Sequence, residues 1–154
     1  VISSIDLINY QIEELDKKIE ELAITHASSI TSIPGISIIT GTSILAELGD
    51  ISKYSNAGKV IKFAGVNPYI SESGKFSADK TAITKKGSKY LRTTLYRVII
   101  PVIRHNPAFN NYYHLKRNQG KGHLCALGHC VRKLLRIIYH LETNNLSFDI
   151  NSLK

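Results

Sequence analysis

The residues whose types and order best suit chemistry lie in Asn67-Pro68-Tyr69-Ile70-Ser71-Glu72-Ser73-Gly74-Lys75-Phe76. Ser73 precedes Gly74, and a glycine there lets the backbone approach a bulky substrate closely. Lys75 stands two residues on and can neutralise a phosphate; Lys80, Lys85, Lys86, Lys89 and Arg92 follow. A serine hydroxyl among cations suits attack on a phosphodiester, giving a phosphoserine link that preserves the bond energy for rejoining. The same Ser-Gly-Lys string is also an ordinary turn sequence, so these residues alone leave both readings open. Thr84 and Ser88 are rival hydroxyls, and Ser88 is better explained as a helix cap.

Other constellations carry less. His123, Cys125, His129 and Cys130 crowd the start of one helical pattern. A single helix cannot supply four tetrahedral ligands, so structural burial of the cysteines is the expectation rather than zinc. A cysteine nucleophile with a histidine base lacks supporting context. The two cysteines point about 140° apart around a helix axis, which rules against a mutual disulfide and fits a reducing cytosol. Carboxylates are sparse after residue 60, with only Glu72, Asp79, Glu142 and Asp149. A two-metal nuclease site needs several converging carboxylates, so this chain is not expected to bind catalytic magnesium by itself.

The elements that must position Ser73 are helical. Ile5, Ile8, Ile12, Leu15, Ile19 and Leu22 alternate spacings of three and four, which predicts a coiled-coil-like helix over about residues 3–25. Its partner is a second copy, another part of a longer protein, or its own domain. Ser32-Ile33-Pro34-Gly35-Ile36-Ser37 breaks helix and leads into Ile38–Leu48. This order resembles a helix-hairpin-helix, whose turn amides, here at Gly35, face a phosphate; Ser37 replaces the usual second glycine, and a plain turn is the alternative. Ser55 can cap a helix to about Ala64, ended by Gly65. Residues 65–87 read as a loop, with room for a short hairpin near Lys75–Ile83; a loop this long in a compact domain is usually functional. Ser88 can cap a helix to about Arg104 with Leu91, Leu95, Val98 and Val102 on one face, kinked or ended near Pro101. Asn106-Pro107 starts a helix ending near Gln119-Gly120. A last helix spans about 122–143, with Leu124, Leu127, Val131, Leu134, Ile138 and Leu141 inward.

Charge is unevenly spread. The net charge of +8 divides into −4 over residues 1–60 (4 Lys/Arg, 8 Asp/Glu) and +12 over residues 61–154 (16 and 4). So basic a segment, with tyrosines interleaved, suits a polyanion such as nucleic acid; a merely soluble basic surface is the bland alternative. Apolar residues make up 43%, enough for a core, and no stretch approaches the ~20 apolar residues of a membrane span. The chain opens at Val1 directly on the amphipathic repeat, as expected of part of a longer protein.

Four strings together make a more specific pattern: Ser32-Ile33-Pro34-Gly35-Ile36, Phe63-Ala64-Gly65-Val66-Asn67-Pro68, Glu72-Ser73-Gly74-Lys75, and Ile83-Thr84-Lys85-Lys86-Gly87-Ser88-Lys89-Tyr90-Leu91-Arg92. In order and spacing, over about residues 30–140, they resemble the C-terminal domain of insertion sequence 110 family transposases, relatives of Piv-type invertases. The resemblance implies a DNA recombinase with a two-part active site. An N-terminal RuvC-like domain carries an acidic DEDD set that binds Mg2+, and Ser73 matches the serine that attacks DNA and holds it covalently. It further implies DNA and a structured bridge RNA as partners and a bacterial cytoplasmic location; homo-oligomerisation is expected through the N-terminal helix and in the full-length protein. Gly35, Gly74, Lys75, Lys80, Lys85, Lys86, Lys89 and Arg92 become expected nucleic-acid contacts. No RuvC-like half is present in these residues, so metal ligands cannot be assigned, no cofactor is expected in this part, and it is expected to cut no DNA alone. The expected fold is mainly α, with a coiled-coil-like helix (1–28), a domain (29–145) holding the hairpin-like start, the Ser-Gly loop and basic helices, and a tail (146–154). The competing reading is a non-catalytic nucleic-acid-binding and oligomerisation module.

Overall fold

A computed structural model of the chain describes residues 2–25, 29–68, 72–73, 76–77 and 82–150. Among these the fold is mainly α: α1 (Ile2–Thr25), α2 (Ile38–Leu48), α3 (Ala57–Phe63), α4 (Lys89–His105), α5 (Pro107–Asn118) and α6 (His123–Asn144). Two short 3₁₀ turns, Ser29–Ser32 and Ile51–Lys53, flank α2, and a two-stranded hairpin, β1 (Glu72–Ser73) and β2 (Phe76–Ser77), lies between α3 and α4. None of the described helices is long and apolar enough to cross a membrane.

Side-chain capping sets most helix starts, by accepting amide N–H groups that have no partner within the helix. Ser37 Oγ accepts from Thr40 N while Thr40 Oγ1 accepts from Ser37 N, a reciprocal capping box on α2. Ser88 caps α4 through Leu91 N, and Asn106, fully buried between α4 and α5, caps α5 through Ala108 N ahead of Pro107 at the first turn. Asn56, not Ser55, caps α3, because its side-chain oxygen is the one that reaches Lys59 N.

The core lies where α6 packs against α3, α4 and α5, with α4 also against α2. Leu91, Leu95, Val98, Ile99 and Val102 of α4 meet Val131, Leu134, Leu135 and Ile138 of α6, joined by Ile30, Ile44, Val60 and Phe109. Each such side chain contributes roughly 1.5–3 kcal/mol by leaving water. Leu124 departs from the expected inward stripe and is 73% exposed. It sits in the first turn of α6, beyond the core, and the buried residues begin at Ala126 and Leu127. Cys130 is buried in that core and Cys125 is exposed, so the expected burial holds for one cysteine of the two. On α1, Ile5, Ile8, Ile12, Leu15 and Leu22 remain half or more exposed, although the helix touches α2.

α4 runs through Pro101. There the Pro34-Gly35 turn presses against it: Gly35 has φ +95°, and a Cβ placed on it would lie 2.7 Å from the Pro101 carbonyl carbon and oxygen and from Val102 Cα. The contact atoms are helix backbone, which cannot swing away. The first arm of the hairpin-like element is a four-residue 3₁₀ turn rather than an α-helix.

Two predictions follow from this packing. Gly35→Ala should destabilise the chain by about 2 kcal/mol or more, combining an unfavourable φ with overpacking, read as a lowered urea midpoint at unchanged slope; a midpoint within error of wild type would refute the close contact. Burial pushes the Cys130 thiol up to about 11, which leaves little nucleophilic thiolate at pH 8. A disulfide reagent at that pH should therefore find one fast thiol in the folded chain, removed by Cys125→Ser, and a second fast thiol would contradict the packing.

Candidate nucleic-acid interface

Where the chain leaves α3 and where it returns to α4, it runs side by side with itself. Ser88 N donates to Phe63 O (2.8 Å), Lys85 N to Gly65 O (3.0 Å) and Thr84 N to Asn67 O (2.9 Å), and Pro68 bridges Ile83 antiparallel. These bonds close a neck around residues 69–82. Gly87 is required within it: its φ is +149°, and any Cβ there would collide with the Phe63 carbonyl oxygen. Two arginines brace the neck from the helices. Arg92 Nη1 of α4 donates to Ala64 O (3.3 Å) and Lys85 O (3.4 Å), and Arg132 Nη1 of α6 donates to Val66 O (3.2 Å).

Beyond the neck, β1 and β2 pair antiparallel with Ser73 opposite Phe76 and Glu72 opposite Ser77. The hairpin therefore begins before Lys75, not at the expected 75–83, with Gly74-Lys75 as the two residues connecting its strands in sequence. Ser73 lies on β1; Gly74, Lys75 and Lys80 lie outside the described residues.

The remaining expected contacts separate into two places. Lys85, Lys86 and Lys89 are exposed and Arg92 half-buried, all within the neck or the first turn of α4. Lys89 Nζ lies 5.0 Å from the centre of the Tyr90 ring. Gly35, by contrast, meets α4 at Pro101, about 18 Å along the helix from Lys89 at 1.5 Å per residue. The amides of Ser37 and Thr40 just after it already have side-chain acceptors. Ser88 behaves as a cap: its Oγ accepts from Leu91 N and donates to Glu47 Oε2 (2.8 Å).

Two concavities flank the neck. One, of about 840 Å³, is lined by Pro68, Ile83 and Lys85 of the neck, Tyr96 of α4, and His129 and Arg132 of α6. Burial, with help from Arg132, Lys116 and Lys121, holds the His129 imidazole below its ordinary range. At neutral pH its positive charge is thus carried by lysine and arginine. Burial also raises the Tyr96 hydroxyl, partly offset by Arg132, so it stays a neutral donor. The other concavity, about 570 Å³, lies between Lys53, Lys59 and Lys62 on one side and Lys86 on the other. Lys53 and Lys59 sit in the acidic first 60 residues, where a segment average hides them; only the fold brings them to Lys86. Among the described residues no three His, Cys, Asp or Glu side chains gather to hold a metal ion.

Sequence comparison places this chain among known proteins. Residues 27–114 match the family described as the IS116/IS110/IS902 transposases. The chain is 32% identical over 148 residues to the pilin gene-inverting protein of Moraxella bovis, covering 95% of this chain and 45% of that protein. It is 29% identical over 135 residues to a 42 kDa protein of insertion element IS900 from Mycobacterium paratuberculosis (86% and 34%), and 26% identical over 149 residues to a 43.6 kDa protein of IS110 from Streptomyces coelicolor (96% and 36%). The chain thus spans between about a third and a half of the length of these relatives. With the family match running through the neck, the hairpin and the lysine-lined hollow beside α3, this chain belongs to the IS116/IS110/IS902 family of transposases.

Proposed function

We propose that this chain is the nucleophile-bearing part of a DNA recombinase that moves or inverts a DNA segment, with Ser73 as the attacking group. The observation that carries the reading is the braced neck, which holds the strand bearing Ser73 on a helical core and sets Lys85, Lys86 and Lys89 at its base. Family membership and the printed names of the relatives, a gene-inverting protein and insertion-element proteins, support it.

In this reading Ser73 Oγ gives up its proton and bonds to a DNA phosphorus. The bond from phosphorus to one strand oxygen breaks, and that oxygen leaves as a hydroxyl. A hydroxyl of the partner strand then attacks the same phosphorus, and Ser73 Oγ departs and regains a proton. No bond energy is lost between the steps, and no external energy source is required. Lysine and arginine near the base of the hairpin stabilise charge on the non-bridging oxygens. The proton acceptor and the Mg2+ of the family reside on acidic residues outside this chain. Among the described residues, Glu47 and Glu142 are engaged by Ser88 Oγ and Ile30 N, and no three His, Cys, Asp or Glu side chains gather to hold a metal ion. A structured RNA pairing with target and donor DNA is the further partner. α1 completes the assembly: its seam of Ile5, Ile8, Ile12 and Leu15 stays exposed here and pairs with a second copy.

Ser73→Ala in the longer parent protein should lower recombination on the order of a thousandfold or more while DNA affinity stays within about twofold. The purified chain with Mg2+ should cleave no strand. Unchanged recombination by the variant would reduce the domain to a binding module. For α1, Ile12→Asp with Leu15→Asp should convert a sedimenting dimer to monomer; an oligomer that survives both changes would end the pairing assignment.

A further inference from the structure

The concavity between α3 and the returning limb of the neck combines cations with an exposed aromatic ring. Lys59, Lys62 and Phe63 stand at positions i, i+3 and i+4 of α3, and so share one helix face. Lys53 comes from the preceding 3₁₀ turn and Lys86 from the neck, so the cations ring the hollow from three segments. All four lysines are exposed, and none of the lining residues is acidic. Of the nearby carboxylates, Asp50 accepts from Ser52 N and lies within electrostatic reach of Lys53, and Glu47 accepts from Ser88 Oγ; neither lines the hollow.

Phe63 is 37% exposed and shares the hollow with the four lysines. A second ring packs on it within the same hollow. The Tyr54 ring lies 5.7 Å from it at an interplanar angle of 58°. Tyr54 is itself fixed at both ends, its hydroxyl donating to Leu48 O (3.0 Å) and its carbonyl accepting from Tyr139 Oη (3.0 Å). The Phe63 carbonyl is held by Ser88 N. A rigid aromatic platform inside a ring of flexible cations is the arrangement that binds an unpaired nucleic-acid strand, with phosphates on the lysines and a base stacked on the ring. A duplex offers the phosphates but keeps its base faces stacked inside.

We propose that Lys53, Lys59, Lys62 and Lys86 with Phe63 form a binding site for an unpaired DNA strand at the foot of the hairpin that carries Ser73. The assignment to DNA rests on the recombinase reading, since exchanging a strand between partners requires separating it from its complement. Strand binding by the cradle stands independently of Ser73.

The test is fluorescence anisotropy of the whole chain with a 12-nucleotide oligo-dT, the matching oligo-rU, an abasic 12-mer and a 12-base-pair duplex, each titrated with salt. Oligo-dT should bind at least as tightly as oligo-rU and more tightly than the duplex. The triple variant K53Q/K59Q/K62Q should lose about tenfold or more in affinity at low salt and lower the salt slope by about 2, at roughly 0.7 per phosphate contact of a single strand. Phe63→Ala should weaken oligo-dT about tenfold and leave the abasic strand unchanged. Ser73→Ala should bind oligo-dT as wild type, so that failure of the cradle and failure of the nucleophile assignment are read separately. Circular dichroism and urea midpoints confirm that the variants fold. Tighter binding of oligo-rU or duplex than oligo-dT, an unaltered triple variant, or equal loss of abasic strand on Phe63→Ala would each overturn the proposal.

Discussion

The rest of the structure depends on how two stretches of non-helical backbone are satisfied on the surface of a helical core. A chain that leaves α3 and returns at α4 exposes carbonyl groups to which no helix amide donates, and such groups are costly wherever they are shielded from water. Here the two limbs bond to each other, and the carbonyls left over at Ala64, Val66 and Lys85 accept from guanidinium groups. Arginine suits the task because its charge persists at any working pH and its planar fork carries several donors. Arg92 and Arg132 come from different helices, so the orientation of the neck is tied to the packing of α4 on α6. A substitution that loosens that packing would therefore reach the hairpin without touching it.

The helical core supplies stiffness, and its polar exceptions face the neck or the helix junctions. Asn106 is fully buried so that one residue can end α4 and start α5, although its Nδ2 finds no partner among the described residues. Glu47 and Ser88 link the end of α2 to the start of α4. Glu142 of α6 accepts the Ile30 amide, fastening the 3₁₀ turn before the Pro34-Gly35 element. The carboxylates of the core region are thus employed in positioning. That leaves a cationic surface around the neck and a chain whose acidic charge is concentrated in α1, away from the lysine-rich segments in sequence.

Much of the fold was legible because its signals are local. Ser88 and Asn106-Pro107 mark helix starts by their own hydrogen-bonding chemistry, and the stripes on α4 and α6 follow helical period. Errors arose where local chemistry was degenerate or tertiary context decided. Ser55 and Asn56 are both capping residues, and only the actual turn shows that the asparagine reaches Lys59 N. Leu124 is in phase with the core stripe but lies past the end of what packs on it. The hairpin starts earlier than the sequence suggests because its strands are two residues long, too short for alternation to register. The sequence presents Arg92 as a phosphate contact; its bonds to the Ala64 and Lys85 carbonyls depend on a neck that no periodicity predicts.

The lysine cradle illustrates a different limit. Summing charge by segment assigned the first 60 residues a net negative sign, and that sum is dominated by α1, which holds six of their eight carboxylates. Lys53 and Lys59 lie beyond α1, and folding sets them beside Lys86 from the strongly basic part. Because screening confines exposed charges to interactions within about 10 Å at 0.1 M salt, a phosphate there responds to the cations around the hollow rather than to the total of a segment. For the nucleic-acid binding proposed above, the relevant unit is accordingly the surface assembled at the neck, to which α3, α4 and the loop limbs each contribute a few residues. A basic total in the second half of the chain is the residue of that assembly, seen from the sequence with one of its sides missing.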